Sequence, residues 1–364
     1  MNLKDLGWNA FFENQSRDEG CQNLTPARVI EELRGLYKLQ AANREYLAEI
    51  AGRLRYLARD RGDLPAVGDW VGIAAGASEG RAQIEAVFPR RTKLSRKVAG
   101  RTSTEQIVAA NVDTVFVVSS LNNDLNVRRI ERYIAIVWES GARPVVLLNK
   151  SDLCVDPTGA AAKVEMVAPG VPVHTMSASQ CEGIEIVSSY ILRGETGALI
   201  GSSGVGKTSI IKALIEHEQR ATYSGGPAQL RVQPVRDGDD KGRHTTTSRQ
   251  MIFLPGGAIL IDTPGMREIQ LWETKEGLEK AFEDIEQLAV GCKFRDCNHR
   301  GEPGCAVECA IQTGQLESGR FENYRKLEAE MNFQKRKSDP EFAQEVKSKW
   351  KIIHKAARNK GNRY

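Results

Sequence analysis

The run Gly201-Ser202-Ser203-Gly204-Val205-Gly206-Lys207-Thr208 has the residue types and spacing to hold phosphate. Its glycines let backbone N–H groups converge on phosphate oxygens, Lys207 reaches the outer phosphates, and the Thr208 hydroxyl can ligate Mg2+. An apolar run ends at Ile200 and a helical pattern opens at Ser209, so the loop also starts a helix, whose N-terminus favours anions. Downstream, Ala258-Ile259-Leu260-Ile261 leads into Asp262-Thr263-Pro264-Gly265. A carboxylate at the end of a buried strand suits the metal shell, and the Gly265 N–H can sense a γ-phosphate.

A second group of residues suits a purine. Asn149-Lys150-Ser151-Asp152 follows the apolar run Pro144 to Leu148, and Ser177-Ala178 follows a run ending at Met176. The Asp152 carboxylate would accept two hydrogen bonds from the ring N–H and exocyclic amine of guanine. Adenine offers no such donor pair, and an unpaired buried carboxylate is costly. Asn149 can bond the other edge of the base, the Lys150 stem can cover its ring, and the backbone at Ser177-Ala178 can support it. Asp152 therefore argues against an ATP-driven motor or transporter.

Hydrolysis needs a positioned water and stabilised charge. Lys207 supplies charge, and the segment Lys241 to Thr247 has the character of a nucleotide-sensing switch, with Thr246 or Thr247 completing the magnesium shell. Met266 follows Gly265 at a place where a water-orienting glutamine would be useful, and a thioether cannot orient water by hydrogen bonding. Slow intrinsic turnover, accelerated when a partner orders the switch, is the expectation. His244 is the candidate for positioning the water.

A third cluster belongs to a metal. Cys292, Cys297, His299 and Cys305 supply three thiolates and one imidazole, a full tetrahedral set for one structural zinc. Cys309 is left over. The odd count of 7 cysteines fits a reducing compartment better than a disulfide framework.

The elements that must position these groups follow from the pattern of apolar residues. Thr114 to Ser119, Pro144 to Leu148, Val171 to Met176, Gly197 to Ile200 and Ala258 to Ile261 are apolar throughout, as strands covered on both faces are. Ile130, Tyr133, Ile134, Val137 and Trp138 recur at helical spacing between the first two, giving a parallel sheet with packed helices. Residues 49–112 show short alternating segments, such as Leu54, Tyr56 and Ala58, then Asp69 to Ile73, then Gln83 to Val87. That texture predicts a small antiparallel barrel. Residues 1–48 read as an N-terminal extension with helical stretches, one capped by Thr25 before Pro26 and running to Tyr37. The expected division is thus 1–48 extension, 49–112 barrel, 113–272 nucleotide-binding α/β domain and 273–364 helical metal-binding domain with a basic tail.

The 364 residues carry 51 basic and 47 acidic side chains, a net charge of +4, so nucleic-acid affinity must come from local clusters. Arg90, Arg91, Lys93, Arg96, Lys97 and Arg101 form one acid-free run, and Gln334 to Arg363 forms another basic stretch. Both are candidate RNA contacts whose grip should weaken steeply with salt. Neither a secretory leader nor a membrane-length apolar run is visible, so a cytoplasmic protein is expected.

The base-reading residues precede the phosphate loop, the reverse of the usual GTPase order. With Gly68-Asp69-Trp70-Val71, Leu94-Ser95-Arg96-Lys97, Asn111-Val112-Asp113, Gly242-Arg243-His244-Thr245-Thr246-Thr247 and the cysteine cluster, the chain resembles the RsgA (YjeQ/YloQ) family over about residues 50–330. The resemblance implies a multidomain α/β protein with an OB-fold barrel, a circularly permuted P-loop GTPase domain and a helical zinc-bearing C-terminal domain. It further implies a monomer acting late in maturation of the 30S subunit, with GTP/GDP and 16S rRNA as partners. An RNA-binding checkpoint factor with guanine nucleotide as a static ligand is the alternative, and subunit-stimulated hydrolysis discriminates the two.

Overall fold

The computed structural model describes residues 1–18, 20–74, 80–97, 105–122, 125–223, 249–263, 275–339, 341–344 and 347–348. The chain divides into two compact units, Met1–Gln270 and Leu271–Tyr364.

The first unit opens with a 3-10 turn, Lys4–Leu6, and helix α1, Ala10–Gln15, capped by the Asn9 side chain. Strands β1 (Leu24–Glu32), β2 (Tyr37–Ala41) and β3 (Arg44–Ile50) follow, then helix α2 (Gly52–Leu57), then β4 (Trp70–Ala74) and β5 (Arg81–Val87). Their order is β1-β2-β3-β5-β4, and β4 returns to pair with β1, closing a five-stranded barrel of OB type. The barrel therefore begins at Leu24, not at residue 49, and the helix expected from Thr25 to Tyr37 is instead β1 and its turn. Ala27, Arg28, Val29 and Ile30 are all buried. Burial on both faces erases the period of two that marks a strand, and Thr25-Pro26 imitates a helix start. The alternation of Leu54, Tyr56 and Ala58 was equally misleading, since that stretch forms α2.

Strands β6 (Lys93–Lys97) and β7 (Glu105–Ala110) make a separate hairpin. The chain then enters a second sheet region through β8 (Thr114–Ser120), α3 (Val127–Ser140), β9 (Arg143–Asn149), α4 (Pro157–Glu165), β10 (Val173–Thr175), α5 (Glu185–Ser189) and β11 (Thr196–Ile200). Helix α6 (Lys207–Tyr223) and strands β12 (Gln250–Phe253) and β13 (Ile259–Asp262) complete it. The order β10-β9-β8-β11-β13 is parallel throughout, as the uniformly apolar runs require, and β12 adds antiparallel to β13. Ile130, Tyr133, Ile134 and Val137 of α3 are buried, as their spacing predicts.

Two groups fasten the barrel to this sheet. Arg28 of β1 is fully buried and donates to the carbonyls of Leu6, Gly68 and Asn111 and to Thr196 Oγ1 at 2.8 Å. Burial pulls its guanidinium down to about 10, which still leaves it charged at neutral pH. Asn111, at φ 54°, turns the chain from β7 into β8 and accepts the Arg91 N–H through Oδ1 at 2.8 Å. Gly68 is required beside it, at φ +98°, because a Cβ there would stand 2.1 Å from the Ala110 carbonyl oxygen.

The second unit holds α7 (Lys275–Ala281), α8 (Glu283–Val290), α9 (Ala306–Gln312) and α10 (Ser318–Ser338), so the helical character expected after Leu271 is present. Arg320 clamps α10 to α7 and α8 through Asp284 at 2.6 and 2.9 Å and the Ala281 carbonyl. Among the described residues no helix is long and apolar enough to cross a membrane.

Candidate functional site

Parallel sheets present ligands to the loops at the carboxyl ends of their strands. Asn149 closes β9, Ser177 lies just past β10, Gly201 follows β11 and Asp262 closes β13, so one edge collects all four loops.

The phosphate loop is held in a conformation only glycine tolerates at two places. A Cβ on Gly201 (φ +147°) would lie 2.2 Å from the Val118 carbonyl oxygen, and one on Gly206 (φ +98°) would lie 2.3 Å from Asn149 Nδ2. Val205 is buried beneath the loop, whereas Ser203, Gly204, Thr208 and Ser209 are exposed. Lys207 Nζ donates to the Gly201 and Ser202 carbonyls, 2.8 Å each. Burial lowers the pKa of Lys207 while Asp262 opposes the shift; burial raises that of Asp262 while Lys207 opposes it. An ammonium and a carboxylate have thus both given up water at the mouth of the loop, which suits a ligand combining phosphates with a hard cation. Thr263 ties the end of β13 to β11 by donating to the Leu199 carbonyl.

The base-reading residues meet this loop directly. Asn149 Nδ2 donates to the Val205 carbonyl at 2.9 Å, and its Oδ1 accepts the Ala178 N–H at 3.0 Å. The amide therefore ties the phosphate loop to the Ser177-Ala178 loop. Lys150, at φ 65°, reaches the Gly204 carbonyl with Nζ at 2.8 Å. Asp152 accepts from Ser177 Oγ at 2.5 Å and Ser179 Oγ at 3.3 Å, which fixes the carboxylate's orientation. One residue beside the site gave no signal in the sequence: Arg129, in the first turn of α3, donates to Ser202 Oγ at 2.7 Å. Next to Arg128 it reads as an ordinary solvated helix start. Gly265, Met266, Lys241 to Thr247 with His244, Thr246 and Thr247, and Arg101 lie outside the described residues.

In the second unit Cys292, Cys297, His299 and Cys305 bring their ligand atoms within 4.8 Å of one another. Zinc bonds of about 2.3 Å to sulfur and 2.0–2.1 Å to nitrogen, at tetrahedral angles, require sulfur–sulfur edges of about 3.8 Å and sulfur–nitrogen edges of about 3.5 Å. The structure shows 3.9 Å between Cys292 and Cys305, and 3.5 and 3.3 Å from those sulfurs to His299 Nδ1. The residues fit a tetrahedral metal ion. Cys305 also caps α9 by accepting the Glu308 N–H, which anchors one ligand to a helix. Cys309 is exposed and stands outside the cluster.

Much of the basic run after β5 is paired within the fold, while Arg91 and Lys93 remain exposed. Arg90 makes a two-pronged pair with buried Asp69 at 2.8 and 2.7 Å and also reaches the Leu64 carbonyl. Arg91 pairs with Asp113, Lys93 with Glu105 and Arg96 with Gln106.

A model of RsgA GTPases matches residues 87–272, the stretch that contains the hairpin, the base-reading loops and the phosphate loop. The chain belongs to the RsgA GTPase family. The small ribosomal subunit biogenesis GTPase RsgA of Opitutus terrae is 41% identical over 367 residues, covering 98% of this chain and 97% of the relative. The protein of that name from Methanosarcina acetivorans is 45% identical over 88% of this chain and 78% of its own length. In fold, this RsgA-family chain is similar to YjeQ from Thermotoga maritima (TM-score 0.61, 24% identity, 84% of this chain and 98% of that one). It is likewise similar to YloQ, a circularly permuted GTPase (TM-score 0.57, 21% identity, 86% and 97% covered).

Proposed function

We propose that this GTPase acts on the small ribosomal subunit late in its maturation, hydrolysing GTP to GDP and phosphate at a rate raised by the subunit. The observation that carries the reading is the single edge where Gly201 to Ser209, Asn149 to Asp152, Ser177-Ala178 and Asp262 converge, together with relatives named for that process. Asp152, held by Ser177 and Ser179, reads guanine; Lys150 covers the ring; the loop N–H groups and Lys207 hold the phosphates. Thr208 and Asp262, joined by Thr246 or Thr247 and the Gly265 N–H, would hold Mg2+ and sense the γ-phosphate. The bound ion would supply charge neutralisation between the outer phosphates. His244 is proposed to place the water, a task Met266 cannot perform.

Residues 113–272 serve as the nucleotide-binding domain and residues 273–364 as a separate domain pinned by one structural zinc. The protein works as a cytoplasmic monomer whose partner surface is 16S rRNA. Bound metal in purified protein should approach one zinc per chain, and Cys292→Ser should abolish it; a value below half an equivalent rejects zinc.

The functional test is the GTPase rate with and without purified 30S subunits, for the wild type and for His244→Ala. Stimulation of the wild type supports the reading, and its absence would leave guanine nucleotide as a static ligand. Intact stimulation in His244→Ala removes that residue from the mechanism. Equal retention of ATP and GTP would overturn the assignment of Asp152.

A further inference from the structure

At the opposite end of β11 from the phosphate loop, the N-terminal turn, the barrel and the start of that strand line a cavity of about 260 Å3. Thr196 belongs to its wall, and at about 3.3 Å per residue the strand carries Gly201 about 16 Å away, so the cavity is separate from the nucleotide site. Its walls are close-packed: a Cβ on Gly7 would stand 2.7 Å from the Gly194 carbonyl oxygen, and one on Gly194 would stand 2.6 Å from that of Lys4. Trp8, Phe12 and Trp70 supply flat apolar surface, Trp8 standing edge-on to Trp70 with ring centroids 4.7 Å apart.

Two donors in this wall are incompletely used. Trp70 is wholly buried, and its Nε1–H has no hydrogen-bond partner among the described residues. The buried Arg28 guanidinium has five N–H groups, of which the carbonyls of Leu6, Gly68 and Asn111 and Thr196 Oγ1 take four. A buried donor left unmet is costly, and an acceptor entering the cavity would remove that cost. Charge points the same way. Arg91 pairs with Asp113, Arg193 pairs with Asp5, and Glu195 accepts the Leu192 N–H at 2.9 Å. Arg28 and Lys4, both in the wall, have no carboxylate partner among the described residues.

We infer that this cavity is a binding site for a small planar organic anion, a carboxylate carried on an aromatic ring. The carboxylate accepts from the Trp70 indole N–H and the remaining Arg28 N–H and lies in the field of Lys4, while its ring packs among Trp8 and Phe12. A cavity of about 150 Å3 takes up benzene, so this one has room for a ring and its acidic group. An apolar guest would leave the indole and guanidinium donors unmet, and a bare inorganic anion would leave the aromatic wall unused.

The probe is 2-naphthoate, titrated into full-length protein saturated with GDP, with 2-naphthylmethanol as the uncharged analogue. Binding is read by calorimetry and by the indole N–H resonances of the 5 tryptophans in an amide proton–nitrogen spectrum. Trp70→Phe identifies the resonance of interest by its loss; it keeps a ring in place and removes a donor that no group of the fold uses, and unchanged basal GTPase activity verifies that the variant is folded. Binding of 2-naphthoate should saturate with a Kd of about 1 mM or tighter, the usual yield for a ligand of that size. The Trp70 indole proton should move downfield as it gains a charged acceptor. Trp70→Phe should weaken 2-naphthoate about tenfold, as loss of a hydrogen bond to a charged group does, and Lys4→Ala about threefold, as loss of an exposed charge does. Three results overturn the inference. One is a Trp70 resonance that stays in place up to about 10 mM 2-naphthoate, ten times the expected Kd, which would leave water as the cavity's occupant. Another is equal affinity for 2-naphthylmethanol, or affinity in Trp70→Phe within twofold of wild type. The last is displacement of 2-naphthoate by GDP, which would put the probe in the nucleotide site.

Discussion

Arg90 and Arg55 are the same side chain on the same barrel, and their surroundings make them opposites. Arg90 is spent inside the fold: its guanidinium meets the Asp69 carboxylate at 2.8 and 2.7 Å and takes backbone carbonyls besides. Arg55 has no hydrogen-bonded or ion-paired partner among the described residues and faces water beside Tyr56. A charge count along the sequence ranks the run from Arg90 above the stretch from Arg53, because acids interrupt only the latter. The fold reverses that ranking. What matters is whether a buried carboxylate or an array of carbonyls has already claimed the cation.

The sharpest way to break this comparison is Arg90→Ala. Asp69 is completely buried, so removing its partner strands a carboxylate in the interior, a loss of about 3–5 kcal/mol. The denaturant midpoint should fall accordingly, and Asp69→Asn/Arg90→Met should recover part of the loss because it removes both charges. A midpoint for Arg90→Ala equal to wild type would mean that the pair does not hold the barrel.

Arg28→Met comes next, with an expected loss of about 2–4 kcal/mol as the carbonyls of Leu6, Gly68 and Asn111 lose a shared donor. Relief from burying a charge limits the damage. Because Thr196 Oγ1 opens the strand that leads to Gly201, the variant should also speed amide exchange at the 3-10 turn Lys4–Leu6 and at the start of β11. Exchange unchanged at both places would deny Arg28 its role as the fastener.

The same contrast explains what could be read from the chain. The phosphate loop and the candidate base-reading loops were legible because each is local in sequence and follows an apolar run that could only be a buried strand, and the cysteine cluster because its ligands lie close together in the chain. The first three barrel strands were not. In β1 the residues Ala27 to Ile30 are buried on both faces, and Arg28 reads as a solvent residue although it is fully buried. The second role of Asn149, joining Val205 to Ala178, needs two loops distant in sequence and could be seen only once they met.

Between the two extremes stands Arg193, mostly exposed but paired with Asp5 at 2.9 Å. The Asn2 backbone N–H, first, and Arg193 hold the Asp5 carboxyl below its usual 3.8. A depressed carboxylate pKa stabilises the fold above the unfolded value and ceases to do so as pH falls through the folded one. Arg193→Ala should therefore cost less than about 1 kcal/mol at pH 7, in keeping with a surface pair, and nothing once Asp5 is protonated. Urea midpoints at pH 7 and at a pH low enough to protonate Asp5 check this, and an equal loss at both would mean that packing, not charge, is responsible.

Smallest of all should be the effect of Arg55→Ala/Arg61→Ala on stability, within about 0.5 kcal/mol of wild type. Neither side chain is buried, and neither is bonded or paired among the described residues, so truncation strands no partner there, and it lowers the repulsion among four neighbouring cations. If the midpoint instead drops by as much as it does for Arg90→Ala, the two clusters are alike, and the distinction between spent and free arginines fails on this barrel.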